Sequence, residues 1–476
     1  MPDTPKQSSR RQFLKGAGLV SAATALTACS SIAKPTASGS GASAKKAKNL
    51  IFLVVDGMCL GTLALAHHWN LRNRKAPLNW MQLYGREGVT RVMQDTASAS
   101  SPVTDSAAAS SSWGCGQRVN NGSINYSVDG KALTPLFSYA KAAGKATGLV
   151  TSCTVTHATP AGFSANVKQR GQEKDIAQQY LDRGIDVILG GGSSNFVYKA
   201  STDKGVTRPA ANLIPYFKAK GYQVIRDRKA LTAAKGQSKL LGLFSAGHIP
   251  FAIDRKNDAS LKGVPSLLEM FSAALASLSA SKDGFVLQVE GGRVDHAGHA
   301  NDPAAILHEQ LEFDACIPIA LEFIEKHPDT LLIVTTDHGT GGCQLNGKGS
   351  AYVESGPALD DINDFKYSFE WLQGRFKKSG RFSAKDFKRA TGIEPNALQV
   401  SKIQKGIDDK TKYLSSMMTG VVQDELFSKT AVGWTSNNHT SECVELFAFG
   451  PGSTEVPAFV KNYKMNGVMR NALGLD

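Results

Sequence analysis

Histidines and carboxylates crowd into three short stretches of this sequence, at spacings that suit metal ligands. The first runs Glu290-Gly291-Gly292-Arg293-Val294-Asp295-His296-Ala297-Gly298-His299. One helical turn separates Asp295 from His299, so both fall on one face and can reach a single Zn2+. The flanking glycines let the backbone approach closely. The second stretch is Thr335-Thr336-Asp337-His338-Gly339. Adjacent residues share a cation only in a loop or turn, which Gly339-Thr340-Gly341-Gly342 supplies. The third is His439, alone in the polar run Trp434–Thr440. One such histidine is ordinarily a hydrogen-bonded structural residue. Three clusters together with Asp56 are hard to explain that way.

A nucleophile candidate lies elsewhere. Thr104-Asp105-Ser106-Ala107-Ala108-Ala109 reads as a loop entering a helix of small residues. Ser106 at its start would meet free backbone N–H groups, which favour negative charge, a phosphate on the side chain included. An ordinary N-cap serine explains the same pattern. A serine hydroxyl is a poor nucleophile near neutrality and needs a base or a metal. No Gly-x-Ser-x-Gly elbow surrounds Ser106. The carboxylate–histidine clusters therefore make a metal the better activator.

Short apolar runs supply the elements that must position these groups. Asn49–Val55, Ala146–Thr151, Asp186–Leu189, Phe285–Glu290, Leu331–Thr335 and Val444–Phe449 read as buried strands. Helical patterns lie between them, such as Gln172–Arg183 and Pro303–Lys326, the second with an expected break at Pro318. Alternating strands and helices predict an α/β sandwich. Asp56, Glu290, Asp337 and His338 stand at strand ends, where open α/β sheets bind ligands. Residues 350–433 are Lys-rich, helical in places and without an obvious buried strand, so they read as an insertion capping the site. The folded body is expected over residues 49–476.

The N-terminus is a targeting segment. Ser9-Arg10-Arg11-Gln12-Phe13-Leu14-Lys15 is a twin-arginine pattern, and Leu26-Thr27-Ala28-Cys29 looks like a lipobox. Residues 1–29 therefore read as a signal that leaves a lipidated Cys29 in a membrane. Residues 30–48, rich in Ser, Ala, Gly and Lys, read as a flexible tether. Export by the twin-arginine route to a periplasmic or cell-surface, lipid-anchored position is expected. With 42% hydrophobic and 20% charged residues, wholesale disorder is excluded. The net charge of +13 favours anionic substrates or polymers. No zinc-finger, RRM or KH signature points to nucleic acid. The cysteines beyond Cys29 are scattered without a Cys-x-x-Cys pair, which argues against a zinc ribbon.

Together the motifs closely resemble the alkaline phosphatase family: VDG at Asp56, TDSAA at Ser106, HATPA at His157–Ala161, EGGRVDHAGH at Glu290–His299, TTDHG at Asp337–His338, and His439. They run in family order from Asn49 to about Gly452, the insertion excepted. The resemblance implies a three-layer α/β/α sandwich with a central, mostly parallel sheet. It implies hydrolysis of phosphate monoesters through a phosphoserine at Ser106. Asp295, His299 and His439 would hold one Zn2+, and Asp56, Asp337 and His338 a second. Asp56, Thr159 and Glu290 would hold a third ion, usually Mg2+. Arg170 would grip the phosphate, oriented by Asp105. A homodimer is a further family expectation.

His157 and His296 depart from some bacterial members, which have Asp and Lys there, and look more like animal members. They would lie beside the phosphate or the third metal, where His157 leaves the Mg2+ assignment open. His67, His68, His248, His308 and His327 match nothing and read as structural. Two rival readings remain. One is a phosphodiesterase or sulfatase of the same superfamily, although the Cys/Ser-x-Pro-x-Arg context of sulfatases is missing. The other is a non-catalytic lipoprotein that binds anionic polymers.

Overall fold

Unbroken apolar strands require cover on both faces, and Asn49–Val55, Phe285–Gly291 and Thr330–Thr336 are buried along their whole length in the computed structural model. The structure describes residues 46–203, 206–234, 236–350 and 352–475; the twin-arginine motif, the lipobox and nearly all of the tether lie outside them. Successive strand residues point to opposite faces. Ile51, Leu53 and Val55 pack into one hydrophobic cluster, while Leu50, Phe52 and Val54 pack into another. Helices cover both faces, which gives the three-layer α/β/α sandwich.

The main sheet has ten strands. Their order is Phe459–Lys461, Thr90–Asp95, Val444–Phe449, Thr330–Thr336, Asn49–Val55, Phe285–Gly291, Ala146–Thr154, Val187–Gly191, Leu240–Leu243 and Gln223–Ile225. Val444–Phe449 runs against both its neighbours; the other pairings are parallel. Pattern reading missed four strands. Thr90–Asp95 is half exposed and polar, while Leu240–Leu243, Gln223–Ile225 and Phe459–Lys461 are too short to show a period.

Register sets the site. Val54 lies opposite Glu290 on one side and Thr335 on the other, and Glu290 lies opposite Thr151. Asp56 and Asp337 follow immediately, at the same carboxyl edge. The Pro303–Lys326 pattern breaks at Ala315, not Pro318, into helices Pro303–Asp314 and Cys316–Lys326. Pro318 falls in the first turn of the second helix, where its missing N–H would have no intrahelical partner.

Residues 350–433, which the sequence reads as an insertion, are mainly helical: Phe369–Ser379, Ala384–Thr391, Ala397–Asp408, Leu414–Val421 and Gln423–Thr430. A two-stranded pairing of Gln344–Leu345 with Val432–Gly433 closes its base. It docks on the helix Arg293–Ala300. Ser416 Oγ donates to the His299 carbonyl at 3.0 Å, and Thr419 Oγ1 to that of Ala300 at 2.6 Å. These carbonyls end a helix and have no partner within it. Upstream, Asp302 accepts from the Phe369 N–H at 2.8 Å. Asp254 accepts from Ser368 N–H at 2.8 Å and Ser368 Oγ at 2.6 Å.

Burial, aided by nearby Asp302 and Glu370, pushes the Asp254 carboxyl up to about 7 despite the Ser368 hydrogen bonds. Its folded pKa stands above the unfolded one, so the folded chain holds the proton more tightly. That stabilisation is complete below the unfolded value of 3.8 and is lost as pH rises through about 7. Asp254→Asn keeps an acceptor for the Ser368 N–H and should flatten this part of the pH dependence. Thermal melts at mildly acidic and mildly alkaline pH check it; identical pH slopes in both proteins would refute it.

Candidate active site

Ser106 is the first residue of the helix Ser106–Cys115, and the N-cap is Asp105. Asp105 Oδ1 accepts from the Ala108 N–H at 2.9 Å, as an N-cap carboxylate does. The Ser106 hydroxyl is thus released from capping. Its Oγ lies 3.3 Å from His338 Nε2, and the residue is 1% exposed. The same His338 nitrogen lies 3.2 Å from Asp337 Oδ2 and 3.7 Å from Asp56 Oδ1. Asp337 Oδ1 accepts from the backbone N–H of Gly57 at 3.0 Å and of His338 at 2.9 Å. Those bonds aim the other oxygen at the histidine.

Asp295, His299 and His439 form a second group. Each histidine donates its Nδ1–H to a carbonyl: His299 to Asn437 at 2.6 Å, His439 to Thr104 at 2.7 Å. That leaves both Nε2 atoms with lone pairs. They face one another at 3.1 Å, and each is 3.4 Å from Asp295 Oδ1. With both rings neutral, two Nε2 lone pairs and the Asp295 carboxylate converge, which is the donor set of a divalent cation. In the bare protein burial would lower the His439 pKa, but the Asp295 carboxylate overrides it and lifts it to about 9.

A third group surrounds Glu290. Its Oε2 accepts from Thr151 Oγ1, and Thr159 Oγ1 donates to Asp56 Oδ2 at 3.2 Å. Asp56 Oδ1, Glu290 Oε1 and Asp337 Oδ2 are buried without a hydrogen-bond donor. Burial first, then repulsion from nearby carboxylates, Asp295 among them in each case, raises Asp56 well above the usual carboxylate range and brings Glu290 and Asp337 each to about 7. Buried carboxylate oxygens without donors fit cations.

Arg170 Nη1 donates to Asp105 Oδ2 at 3.0 Å, so one carboxylate both caps the serine's helix and holds the arginine. Two further groupings centre on Cys153, with His248 and His296 and with His157 and Glu290. Here the nitrogens are engaged differently. Arg293 Nη1 donates to His296 Nδ1 at 2.7 Å, the Thr154 N–H to His248 Nδ1 at 3.1 Å, and Arg170 Nη2 to His157 Nε2 at 3.1 Å. Each imidazole has used its lone pair and offers an N–H, which suits an anion better than a cation.

Every residue proposed from the sequence thus reaches this one edge of the sheet. Sequence reading missed His248, whose ring centroid lies 4.4 Å from that of His296. It follows the strand Leu240–Leu243, and strand-end position was its only signal. Thr340 was missed too: its Oγ1 donates to Asp295 Oδ1 at 2.6 Å. That contact gives the Gly339–Gly342 loop a role that its sequence did not show.

A mostly parallel α/β/α sandwich that gathers buried carboxylates, imidazoles, an arginine and a serine at its strand ends is a hydrolase scaffold for charged substrates. A profile described as alkaline phosphatase matches residues 47–475. The chain belongs to the alkaline phosphatase family and is a phosphatase. It is 32% identical to alkaline phosphatase 3 of Bacillus subtilis, over 87% of this chain and 86% of that one. It is 32% identical to the repressible alkaline phosphatase of Saccharomyces cerevisiae, over 85% of this chain and 76% of that one. The crystal structure of Thermus thermophilus alkaline phosphatase superposes with a TM-score of 0.81 at 35% identity, covering 91% of this chain and 92% of that one. A twin-arginine signal profile matches residues 7–27, which supports export by that route. Among the described residues, no helix is long and apolar enough to cross a membrane.

Proposed function

We propose that this phosphatase hydrolyses phosphate monoesters in two displacements through a phosphoserine at Ser106. The observation that carries the reading is the convergence of Ser106 Oγ on the Asp56–Asp337–His338 group. In the first displacement Ser106 Oγ bonds to phosphorus, the ester P–O bond breaks, and the serine proton ends on the leaving alcohol. In the second, water attacks the phosphoserine, restoring the hydroxyl and releasing inorganic phosphate.

Asp295, His299 and His439 would hold one Zn2+, and Asp56, Asp337 and His338 another; Asp56, Thr159 and Glu290 would hold a third ion, Mg2+ by family precedent. Bound there, such cations supply Lewis acidity and a positive field for oxygens that gain charge. The chain's own groups do the rest. The helix N-terminus at Ser106 turns free N–H groups toward the phosphoryl oxygens. Arg170, anchored by Asp105, has a guanidinium fork for two of those oxygens. His157 and His296 line the same space as N–H donors. The arginine clamp favours a monoester, with two free anionic oxygens, over a diester. Lipidation of Cys29 and homodimerisation belong to the same proposal; Cys29 lies outside the described residues.

Removing metal with a chelator should abolish hydrolysis of p-nitrophenyl phosphate, and Zn2+ with Mg2+ should restore it. The monoester should exceed the bis(p-nitrophenyl) diester in kcat/KM by more than about a hundredfold. Full activity after chelation and dialysis, or preference for the diester, would overturn the reading.

A further inference from the structure

We propose that Glu370, carried by the insertion, is a positioning residue for the phosphate site: through Arg293 it fixes His296 as a neutral imidazole that presents its Nε2–H to the phosphoryl group. The last clause rests on the function proposed above; the chain of contacts does not.

Arg293 is among the largest side chains fully buried in the protein, at 1% exposure. A buried guanidinium is tolerated only with partners for its charge and its N–H groups. Glu370 Oε1 accepts from Arg293 Nη2 at 2.6 Å. Phe251 lies beneath, with the guanidinium carbon 3.8 Å from the ring centroid. Arg293 Nη1 donates to His296 Nδ1 at 2.7 Å. The direction of that last bond is not open to choice. Arginine has donors and no acceptor, so Nδ1 must supply the lone pair and the ring proton must sit on Nε2. The His296 ring centroid is 5.5 Å from that of His157, whose Nε2 accepts from Arg170. His296 is therefore one ring away from the guanidinium assigned to the phosphate.

Glu370 is itself held in place. It sits in the first turn of the helix Phe369–Ser379, where a carboxylate is favoured. The two residues before it give their backbone N–H groups to carboxylates of the main body: Ser368 to Asp254 and Phe369 to Asp302. At the far end, Ser416 and Thr419 of the same insertion bind the last carbonyls of the helix that carries Asp295, His296 and His299. The insertion thus grips that helix at both ends, and Glu370 is its one carboxylate that reaches Arg293 among the described contacts.

The test compares Glu370→Ala and Glu370→Gln with the wild-type holoenzyme. In Glu370→Ala the inhibition constant for inorganic phosphate and the KM should each rise about tenfold, with kcat changed less, zinc content unchanged and melting nearly so. Glu370→Gln keeps an oxygen that accepts from Arg293 and should stay within about threefold of wild type. Nitrogen-15 histidine spectra, assigned with His296→Gln, should show His296 as the Nε2–H form in wild type and as a mixture in Glu370→Ala. These spectra need no turnover, so they answer independently of whether Ser106 forms a phosphoserine. If Glu370→Ala fails to fold, Glu370→Met fills similar space without the acceptor and gives the same readouts. An unchanged phosphate constant with an unchanged His296 spectrum overturns the proposal. So does a loss of kcat that tracks a loss of zinc.

Discussion

Ser106→Ala should lower phosphate-monoester turnover by roughly a thousandfold or more, while leaving the protein folded and able to bind phosphate. The substitution deletes one oxygen. That oxygen is the group 3.3 Å from His338 Nε2, and it does not cap the helix. Asp105 does that through the Ala108 N–H. Had Ser106 been the N-cap, alanine would have cost stability of about 1 kcal/mol, and lost activity could have been blamed on folding. Here the melting temperature should stay close to wild type. Arg170 keeps its anchor on Asp105, so inorganic phosphate should still bind with an inhibition constant near wild type. Turnover kinetics, phosphate binding and intact-mass analysis of acid-quenched enzyme check the three parts. The mass of a phosphoserine should appear in wild type and not in the variant. A variant that kept a tenth of wild-type turnover would remove Ser106 from the mechanism.

Asp337→Asn should produce two effects of opposite sign. Three buried carboxylates, Asp56, Glu290 and Asp337, each have an oxygen with no donor. Burial raises all three pKa values, nearby Asp295 adds to each, and Asp337 adds to that of Asp56. Without metal, removing one charge relieves the repulsion, so the metal-free variant should melt higher than metal-free wild type. With metal, the variant lacks one anionic ligand. It should bind less zinc, gain less melting temperature on adding zinc, and turn over more than about a hundredfold more slowly. The Oδ1 contacts with Gly57 N–H and His338 N–H can persist in asparagine, so the loop itself should hold. Melting curves with and without chelator, run beside metal analysis and kinetics, separate the effects. If metal raised the melting temperature of variant and wild type equally, Asp337 would not be a ligand.

Much of the fold and of the site is legible in the sequence. Asn49–Val55, Phe285–Gly291 and Thr330–Thr336 are apolar without interruption because helices cover both their faces, and such runs stand out along a chain. Asp56, Asp337 and His338 can be grouped because they end those strands. Asp295 and His299 can be paired because helical spacing is local. The strand Thr90–Asp95 escapes such reading, since a strand with exposed, polar residues shows no apolar run. Pro318 misleads because proline breaks a helix in its interior but not in its first turn.

The sequence by itself determined the inventory: a serine ahead of a helix, two carboxylate–histidine stretches, a loop histidine, His439, and strands with polar ends. All of these follow from local periodicity and from the chemistry of the residues present. The tertiary structure alone decided how the inventory is shared out. Parallel register brought Asp56, Glu290 and Asp337 to one edge. Carbonyls of Asn437 and Thr104 fixed the tautomers of His299 and His439, so those rings present lone pairs. Arg293 and the Thr154 N–H fixed His296 and His248 the other way, and Arg170 took up the Nε2 lone pair of His157. A histidine's identity does not say which nitrogen carries its proton. The partner on the far side of the ring does, and that partner can come from anywhere in the chain.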